Sequence, residues 1–245
     1  MVKIILGILF MGGLFANGFK ADQKKFKRVA DAYLEKEAGL KTLLTQYGLN
    51  LDQLEVYLRA FKTEKELELW ARDKTDKNFQ LIKTYKICAT SGKIGPKRKQ
   101  GDLQIPEGFY HISAFNPQSK FYLSMRLNYP NASDKILSDK KYPGNDIYIH
   151  GDCVTIGCLP ITDDQIKELY LICVEARQNG QKKIPVTIFP ARLTDNRFTE
   201  LKEKYQSNIE VVNLWNDLKI GYELFNQKRQ LFSVNFLPDG RHEVK

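Results

Sequence analysis

The spacing of apolar side chains changes partway along this 245-residue chain, and the change limits the folds open to it. From about residue 22 to residue 61, large apolar residues recur every three or four positions, the period of an amphipathic helix. Between residues 67 and 149, short runs resemble half-buried or buried strands instead. Helical spacing returns after residue 194, and residues 232–244 indicate a closing hairpin. The pattern predicts an α+β chain whose mainly β centre lies between N- and C-terminal helical segments.

One helix is expected within the strand-rich centre. Thr162 is followed three residues later by Gln165, a capping-box spacing, and apolar residues at helical intervals continue to about Gln178. Residues 184–189 then predict a strand. We therefore expect an N-terminal helical segment over 19–63, a catalytic or binding domain over 64–193, and a C-terminal helical extension over 194–245.

The first 18 residues have the organisation of a secretory signal. Lys3 precedes an almost wholly apolar run over residues 4–15, and the small residues Ala16 and Gly18 follow. The run is shorter than the roughly 20 residues of a transmembrane helix, although an uncleaved anchor is the main alternative. No second run of this length occurs in the sequence. The sequence thus predicts a signal peptide over 1–18, an extracytoplasmic (periplasmic) location, and no integral membrane span after its removal.

The charge balance favours an anionic partner. Lys and Arg number 38 against 29 Asp and Glu, a net charge of +9, and removal of residues 1–18 would take away only the charge of Lys3. No helix-turn-helix or RNP pattern is present to indicate nucleic acid. An envelope polymer therefore suits an exported basic chain better than nucleic acid does.

Reactive groups are concentrated in residues 148–160. His150 follows a predicted strand and Cys158 lies eight residues later, so a loop can bring imidazole and thiol together. A neighbouring base favours the nucleophilic thiolate form of cysteine. Gly157 permits a tight turn whose N–H groups can face a developing oxyanion. From these residues alone, a buried thiol beside a surface histidine stays open as the alternative.

A metal site is a weaker interpretation of the same segment. His150, Cys153 and Cys158 supply three donor side chains, but there is no C-x-x-C pair and no evident fourth ligand. Ile161 stands where a plant-type iron–sulfur pattern would place its next cysteine. We expect no metal and no other cofactor. A disulfide between Cys153 and Cys158 is another open alternative, and it would disable the thiol.

Three segments resemble the L,D-transpeptidase (YkuD-domain) enzymes of bacterial cell walls, in their YafK-like branch. Residues 101–112 are similar to the family's Gly-Asp…Thr-Pro-x-Gly segment, and residues 127–134 to the branch. His150-Gly151 followed by Thr155-Ile-Gly157-Cys158 resembles the family's His-Gly…Ser/Thr-His-Gly-Cys. The resemblance covers about residues 64–192. Ile156 replaces the histidine usual before Gly-Cys, and Ile105 replaces the usual Thr before Pro.

The resemblance implies an L,D-transpeptidase-type core with Cys158 as nucleophile and His150 as its base. The thiolate would attack the carbonyl between an L-configured centre and a D-amino acid in a peptidoglycan stem peptide, giving a thioester. Backbone N–H groups of Gly157 and Cys158 would stabilise the oxyanion. The acceptor stays open: an amine, including that of a wall-linked protein, gives transpeptidation, and water gives L,D-carboxypeptidase or amide hydrolysis. The alternative from another class is a non-catalytic wall-binding or scaffold protein that retains the fold.

Other residues receive secondary roles. Gly151 is expected to make the turn behind His150, with its carbonyl orienting the second ring nitrogen. The further candidates for substrate binding, each with a turn, strand or loop role as the alternative, are Thr155, His111, Asn128 and Tyr129.

Three expectations concern residues outside the proposed chemistry. Cys153 is expected as a buried apolar residue or an accessory thiol, and Cys88 and Cys173 as core residues or as a disulfide with each other. Residues 97–99 are expected to form a solvated basic loop. His242 is expected at the surface.

Overall fold

The computed structural model describes residues 18–245, so the predicted signal peptide lies outside the described residues except for Gly18. The helices, in chain order, are α1 (Phe19–Lys24), α2 (Lys27–Gln46), α3 (Ala132–Leu137), α4 (Asp163–Gln178), α5 (Asp195–Tyr205) and α6 (Ile209–Lys228). The strands are β1 (Leu54–Phe61), β2 (Glu66–Asp73), β3 (Gln80–Lys86), β4 (Gly108–Asn116), β5 (Ser124–Leu127), β6 (Tyr148–His150), β7 (Leu159–Pro160), β8 (Ile184–Phe189), β9 (Val234–Phe236) and β10 (His242–Val244).

Eight strands form one curled sheet in the order β3-β2-β1-β8-β4-β5-β6-β7. The pairs β1–β8 and β6–β7 are parallel, and the other neighbours are antiparallel. The backbone N–H of Cys88, just beyond β3, donates to the carbonyl of Pro160 in β7 at 3.0 Å. The two ends of the sheet therefore meet.

Apolar residues pack on both faces of this sheet. On one face, alternate side chains of β1 such as Val56 and Leu58 join a core that α2 and α4 cover. On the other face, Phe61 of β1 and Phe189 of β8 pack with Trp215 of α6. The predicted α+β architecture, with a helix embedded in a β-rich centre, is confirmed.

The predicted helical pattern through Phe61 is wrong at its end, because residues 54–61 form β1. β1 lies inside the sheet and is covered on both faces, so seven of its eight residues are buried, Arg59 among them, and no exposed face alternates with a buried one. A segment whose buried residues follow one another in this way fits helical and strand spacing equally well. The domain boundary at residue 64 stays a prediction.

Other local predictions agree closely with the elements. β8 has the predicted bounds of residues 184–189. Thr162 caps α4, its hydroxyl accepting the backbone N–H of Gln165 at 3.3 Å. His242 does not lie at the surface as expected: it is buried between the rings of Phe109 and Phe236. Among residues 18–245, no helix has both the length and the apolar character needed to cross a membrane.

Candidate active site

The parallel pair β6–β7 positions the two principal candidate residues. Its register sets Ile149 against Leu159, and both side chains are buried in the core. Cys158, one residue before β7, therefore lies alongside Tyr148 on the opposite face of the sheet. Because side chains alternate along a strand, His150 lies on that same face, two residues beyond Tyr148. Imidazole and thiol thus share one face of adjoining strands.

The ring of His150 is fixed from two sides. It is only 1% exposed, its Nδ1 contacts the carbonyl oxygen of Gly151, and the ring of Phe121 lies 4.6 Å away between centroids. A carbonyl can only accept, so Nδ1 carries the proton and Nε2 is the basic nitrogen of the neutral ring. Burial also lowers the pKa of His150. The predicted contact with the Gly151 carbonyl is present.

Gly151 occupies a position where no side chain fits. A Cβ there would lie 2.5 Å from Oδ1 of Asp163 and 3.0 Å from the carbonyl oxygen of Phe121. The Gly151 N–H donates to the carbonyl of Leu123 at 3.1 Å. The glycine therefore lets α4 approach the turn and holds its own carbonyl at the imidazole.

The Cys158 thiol is half-buried, and its Sγ lies 3.6 Å from the carbonyl oxygen of Asp146, which it can reach as a donor. Burial raises the pKa of Cys158, although the backbone N–H of Tyr148 acts in the opposite direction. Among the hydrogen bonds of residues 18–245, none joins this sulfur to His150. The thiol therefore has its polar contact with a backbone carbonyl and not with His150.

Thr155 organises the turn before the cysteine. Its hydroxyl oxygen accepts the N–H groups of Gly157 at 3.1 Å and Cys158 at 2.8 Å, and donates to the Cys158 carbonyl at 2.9 Å. Gly157 has φ +135°, and a Cβ there would lie 3.0 Å from the carbonyl oxygen of Gln104. The two expected oxyanion donors therefore already have a partner in this state.

A disulfide joins Cys88 to Cys153, with 5.4 Å between the Cα atoms. The expectations of a free Cys153, of a Cys88–Cys173 pair and of a Cys153–Cys158 disulfide are therefore wrong. Cys173 is a free, buried core residue as expected, and Cys158 is free. The pairing also removes Cys153 from the three-residue metal set. Sequence could not choose the partners, because residues 65 positions apart meet only through the curl of the sheet.

Loop 91–106 forms one wall of the site and was only partly recognised from sequence. The Lys62 ammonium, buried below it, donates to the carbonyls of Gly95 at 2.8 Å and Ile105 at 2.9 Å. It also pairs with the Glu107 carboxylate at 2.9 Å. Lys62 lies outside every motif, and its only sequence signal is a lysine at the end of an apolar run.

The expected solvated basic loop over residues 97–99 is wrong for Lys97. This side chain is buried and its ammonium pairs with the Asp102 carboxylate at 2.6 Å. The same carboxylate accepts the backbone N–H groups of Arg98 and Lys99. Asp102 therefore closes the loop on itself.

The remaining predicted residues lie farther from the thiol. His111 and Asn128 are half-buried on β4 and just after β5, and the Asn128 carbonyl oxygen accepts the backbone N–H of His111 at 2.7 Å. Both border a cavity of about 390 Å³. Tyr129 is 2% exposed and its hydroxyl donates to the carbonyl of Pro143 at 2.9 Å, which fits the loop-shaping alternative.

Comparisons with known proteins identify the family to which the chain is similar. The model of the YkuD family, the L,D-transpeptidase catalytic domain, matches residues 55–188. YafK of Escherichia coli (strain K12) is 37% identical over 201 residues, covering 81% of this chain and 77% of YafK.

Solved structures show more distant likeness. The helical cell shape determining protein Pgp2 from Campylobacter jejuni is 18% identical, with a TM-score of 0.44 and 80% of each chain covered. L,D-transpeptidase 1 from Mycobacterium tuberculosis is 15% identical, with a TM-score of 0.32, over 55% of this chain and 62% of that one. The family match over more than half of the sequence and the identity to YafK show that the chain belongs to the L,D-transpeptidase (YkuD) family.

Proposed function

We propose that this chain catalyses cysteine-dependent acyl transfer on peptidoglycan stem peptides through a Cys158 thioester. One observation carries the proposal: the Gly151 carbonyl fixes His150 in the tautomer that leaves Nε2 as a base, on the sheet face that carries the free thiol. A basic nitrogen beside a free thiol is the arrangement that nucleophilic catalysis by cysteine needs. Membership of the family supports a peptidoglycan substrate.

The first half-reaction begins when the thiol leaves the Asp146 carbonyl and gives its proton to Nε2 of His150. The sulfur attacks the carbonyl carbon between the L-centre and the D-amino acid of the stem peptide. The C–N bond then breaks, His150 returns the proton to the leaving amine, and the acyl group remains as a thioester.

Oxyanion stabilisation requires a change at Thr155. Its hydroxyl now accepts the N–H groups of Gly157 and Cys158, so the oxyanion must take the place of that oxygen. Each such donor is worth on the order of 3 kcal/mol to a transition state. Thr155 therefore acts as an internal stand-in acceptor that substrate displaces.

The second half-reaction releases the acyl group to an acceptor. An amine gives a crosslink or attachment to a wall-linked protein, and water gives an L,D-carboxypeptidase or an amide-cleaving hydrolase. In either case His150 takes a proton from the acceptor and returns it to the departing sulfur. Both outcomes belong to the proposal, and products distinguish them.

An extracytoplasmic location belongs to the same proposal. The Cys88–Cys153 disulfide supports it, because such bonds persist in oxidising compartments. The signal-like residues 1–18 support it from sequence. A periplasmic protein would meet its wall substrate directly.

The test is incubation of the purified chain with defined muropeptides, including crosslinked and protein-linked forms, with products identified by mass spectrometry. Cys158→Ala and His150→Ala should each abolish turnover, whereas Cys173→Ala, at the other free cysteine, should retain it. Turnover that survives both active-site substitutions would overturn the mechanism. Exclusively crosslinked products would reject the hydrolytic form.

A non-catalytic wall-binding protein is the second candidate. The observation in its favour is that the thiol is bonded to Asp146 and both oxyanion donors to Thr155. This function predicts that wild type and Cys158→Ala bind peptidoglycan equally and that neither releases product.

A further inference from the structure

The sheet face that carries Cys158 continues across β6, β5 and β4. The registers align Cys158 with Tyr148, Tyr148 with Arg126, and Arg126 with Ala114. Asn128, two residues beyond Arg126, lies on the same face because Leu127 between them points into the core. Cys158, Tyr148, Arg126 and Asn128 therefore lie on one face of the sheet, in a row that leads from the thiol towards the cavity.

This surface ends at the cavity of about 390 Å³ that His111 and Asn128 border. Phe109 of β4 and Phe232 before β9 supply apolar wall, with ring centroids 5.8 Å apart. Lys183, an exposed residue just before β8, also borders the cavity, and its positive charge acts on His111. Apolar walls with a few convergent polar groups are typical of ligand sites.

Three polar groups of the cavity have unused hydrogen-bonding capacity. Within the described part of the chain, no hydrogen bond or ion pair engages the Lys183 ammonium, the Asn128 amide nitrogen or the His111 ring. In the Asn128 side chain, only the carbonyl oxygen has a hydrogen bond, which it accepts from the backbone N–H of His111. This bond fixes the Asn128 side chain and leaves its amide nitrogen free to donate to a ligand.

The charge in the cavity has one sign. Its lining includes Lys183 and no Asp or Glu. Burial lowers the pKa of His111, and the nearby positive charge of Lys183 lowers it further, so this imidazole is neutral at neutral pH. One ammonium with neutral hydrogen-bonding partners suits a carboxylate.

We propose that this cavity, lined by Lys183, Asn128 and His111, binds a carboxylate of the stem-peptide substrate. The inference rests on the proposed function, because the same substrate must also reach Cys158. Two strand spacings and two residues along β5 separate Cys158 from Asn128 by about 12 Å. An extended chain covers that distance in three to four residues, the scale of a stem peptide.

The experiment measures binding rather than turnover. Calorimetry on the Cys158→Ala protein compares a disaccharide tetrapeptide whose side carboxylates are free with the same compound after their amidation. Amidation should weaken binding about tenfold, as expected for loss of one charge-assisted contact. Adding Lys183→Met should weaken binding of the free form by a similar factor and remove the difference between the two compounds.

Lys182→Met is the matched control, because Lys182 is the neighbouring exposed lysine and is not part of the lining. It should preserve the tenfold preference. The inference would be overturned if the preference for the free compound survived Lys183→Met, or if both lysine variants lost the same amount of binding. It would also be overturned if neither compound bound. Turnover by wild type without this preference would refute the cavity alone, and preference without turnover would refute the catalytic proposal alone.

Discussion

His150 and Cys158 share a sheet face, yet each has its polar contact elsewhere. The imidazole donates to Gly151 and the thiol to Asp146, so the pair is described as neutral base and neutral thiol. Burial pushes both groups in this direction, lowering the pKa of His150 and raising that of Cys158. Substrate binding, rather than a standing ion pair, would then generate the thiolate.

The pH dependence of alkylation tests this at Cys158. Because the thiol pKa is raised, the thiolate fraction should grow about tenfold per pH unit from pH 6 to pH 8. The rate of carbamidomethylation by iodoacetamide, followed by mass spectrometry, should therefore rise throughout this range. A plateau between pH 6 and pH 8 would show a thiolate–imidazolium pair instead.

Gly151→Ala should damage the site through sterics alone. The new methyl group would meet Asp163, Ile166 and the Phe121 carbonyl at 3.0 Å or less, displacing the carbonyl that orients His150. We expect kcat to fall at least tenfold and the unfolding free energy to fall by about 1–3 kcal/mol.

Gly180→Ala is a control for glycine replacement itself, since a Cβ there meets nothing within 4 Å. Its φ of +99° still carries backbone strain, so it should lose stability but keep kcat. Equal kcat in Gly151→Ala and wild type would contradict the orienting role.

The sequence predicted the candidate residues and the Gly151–His150 contact, but not the resting contacts of Cys158 and Thr155. His150, Gly151 and Cys158 are recognisable because the chemistry needs those residue types at short spacing. The Thr155 hydroxyl at the oxyanion donors is a matter of local backbone geometry, which residue identity does not determine. Lys62 lies outside the sequence motifs, and its contribution to the site is visible only in the folded chain, where its ammonium is buried under loop 91–106.

At the scale of elements, that loop is held by a buried charge network reaching α6. Lys62 pairs with Glu107, and the second Glu107 oxygen accepts the indole N–H of Trp215 at 2.7 Å. Gln104 of the loop in turn lies against Gly157. The C-terminal helix is thereby linked to the wall of the active site.

Trp215→Phe should expose this link. Loss of the indole N–H leaves a buried carboxylate oxygen without that donor, which should lower the unfolding free energy by about 1–3 kcal/mol. Looser attachment of loop 91–106 should also change the alkylation rate of Cys158 by several-fold. Denaturant unfolding and the iodoacetamide assay measure the two effects.

Trp70→Phe is the matched control. The Trp70 indole likewise donates to a buried carboxylate, that of Glu68, at 2.7 Å, but it lies on β2 away from the loop. It should lose similar stability without altering alkylation. The same alkylation change in both variants would show a general loss of stability rather than a specific link.

Elements were predictable where the burial pattern was one-sided. α6 buries one main face, and the hairpin strands are short and bounded by turn residues, so periodicity found them. α4 is buried on all sides over residues 169–176, and its prediction rested on the Thr162 capping pattern and the helical spacing that follows it. β1 escaped because both of its faces are covered. The short α3 also escaped: six residues are too few for a period, although Asn131 and Asp134 cap it reciprocally.

At the scale of the whole molecule, the Cys88–Cys153 disulfide ties the loop between His150 and Cys158 to the far end of the sheet. The two cysteines are 65 positions apart in the sequence, and β4, β5 and β6 lie between them. Constraining a loop of that size in the unfolded chain is worth about 4 kcal/mol on a chain-entropy basis. A cross-link of this kind contributes to the stability of the domain as a unit.

The double variant Cys88→Ala/Cys153→Ala should therefore melt several degrees below wild type. Reductant should lower the melting temperature of wild type towards that of the variant and leave the variant unchanged. Thermal unfolding with and without dithiothreitol makes the comparison. Identical melting temperatures for the two oxidised proteins would contradict a stabilising bond.

The meeting of the sheet's two ends also bears on self-association. A free edge strand offers unpaired N–H and C=O groups on which another chain can add, the first step of amyloid-like aggregation. Here β7 is two residues long and includes Pro160, which has no N–H, while β3 carries the charged Lys83 and Lys86. The hydrogen bond from the Cys88 N–H to the Pro160 carbonyl occupies backbone groups at both edges of the sheet. The eight-stranded sheet therefore offers little free strand edge on which a second chain could pair in a cross-β aggregate.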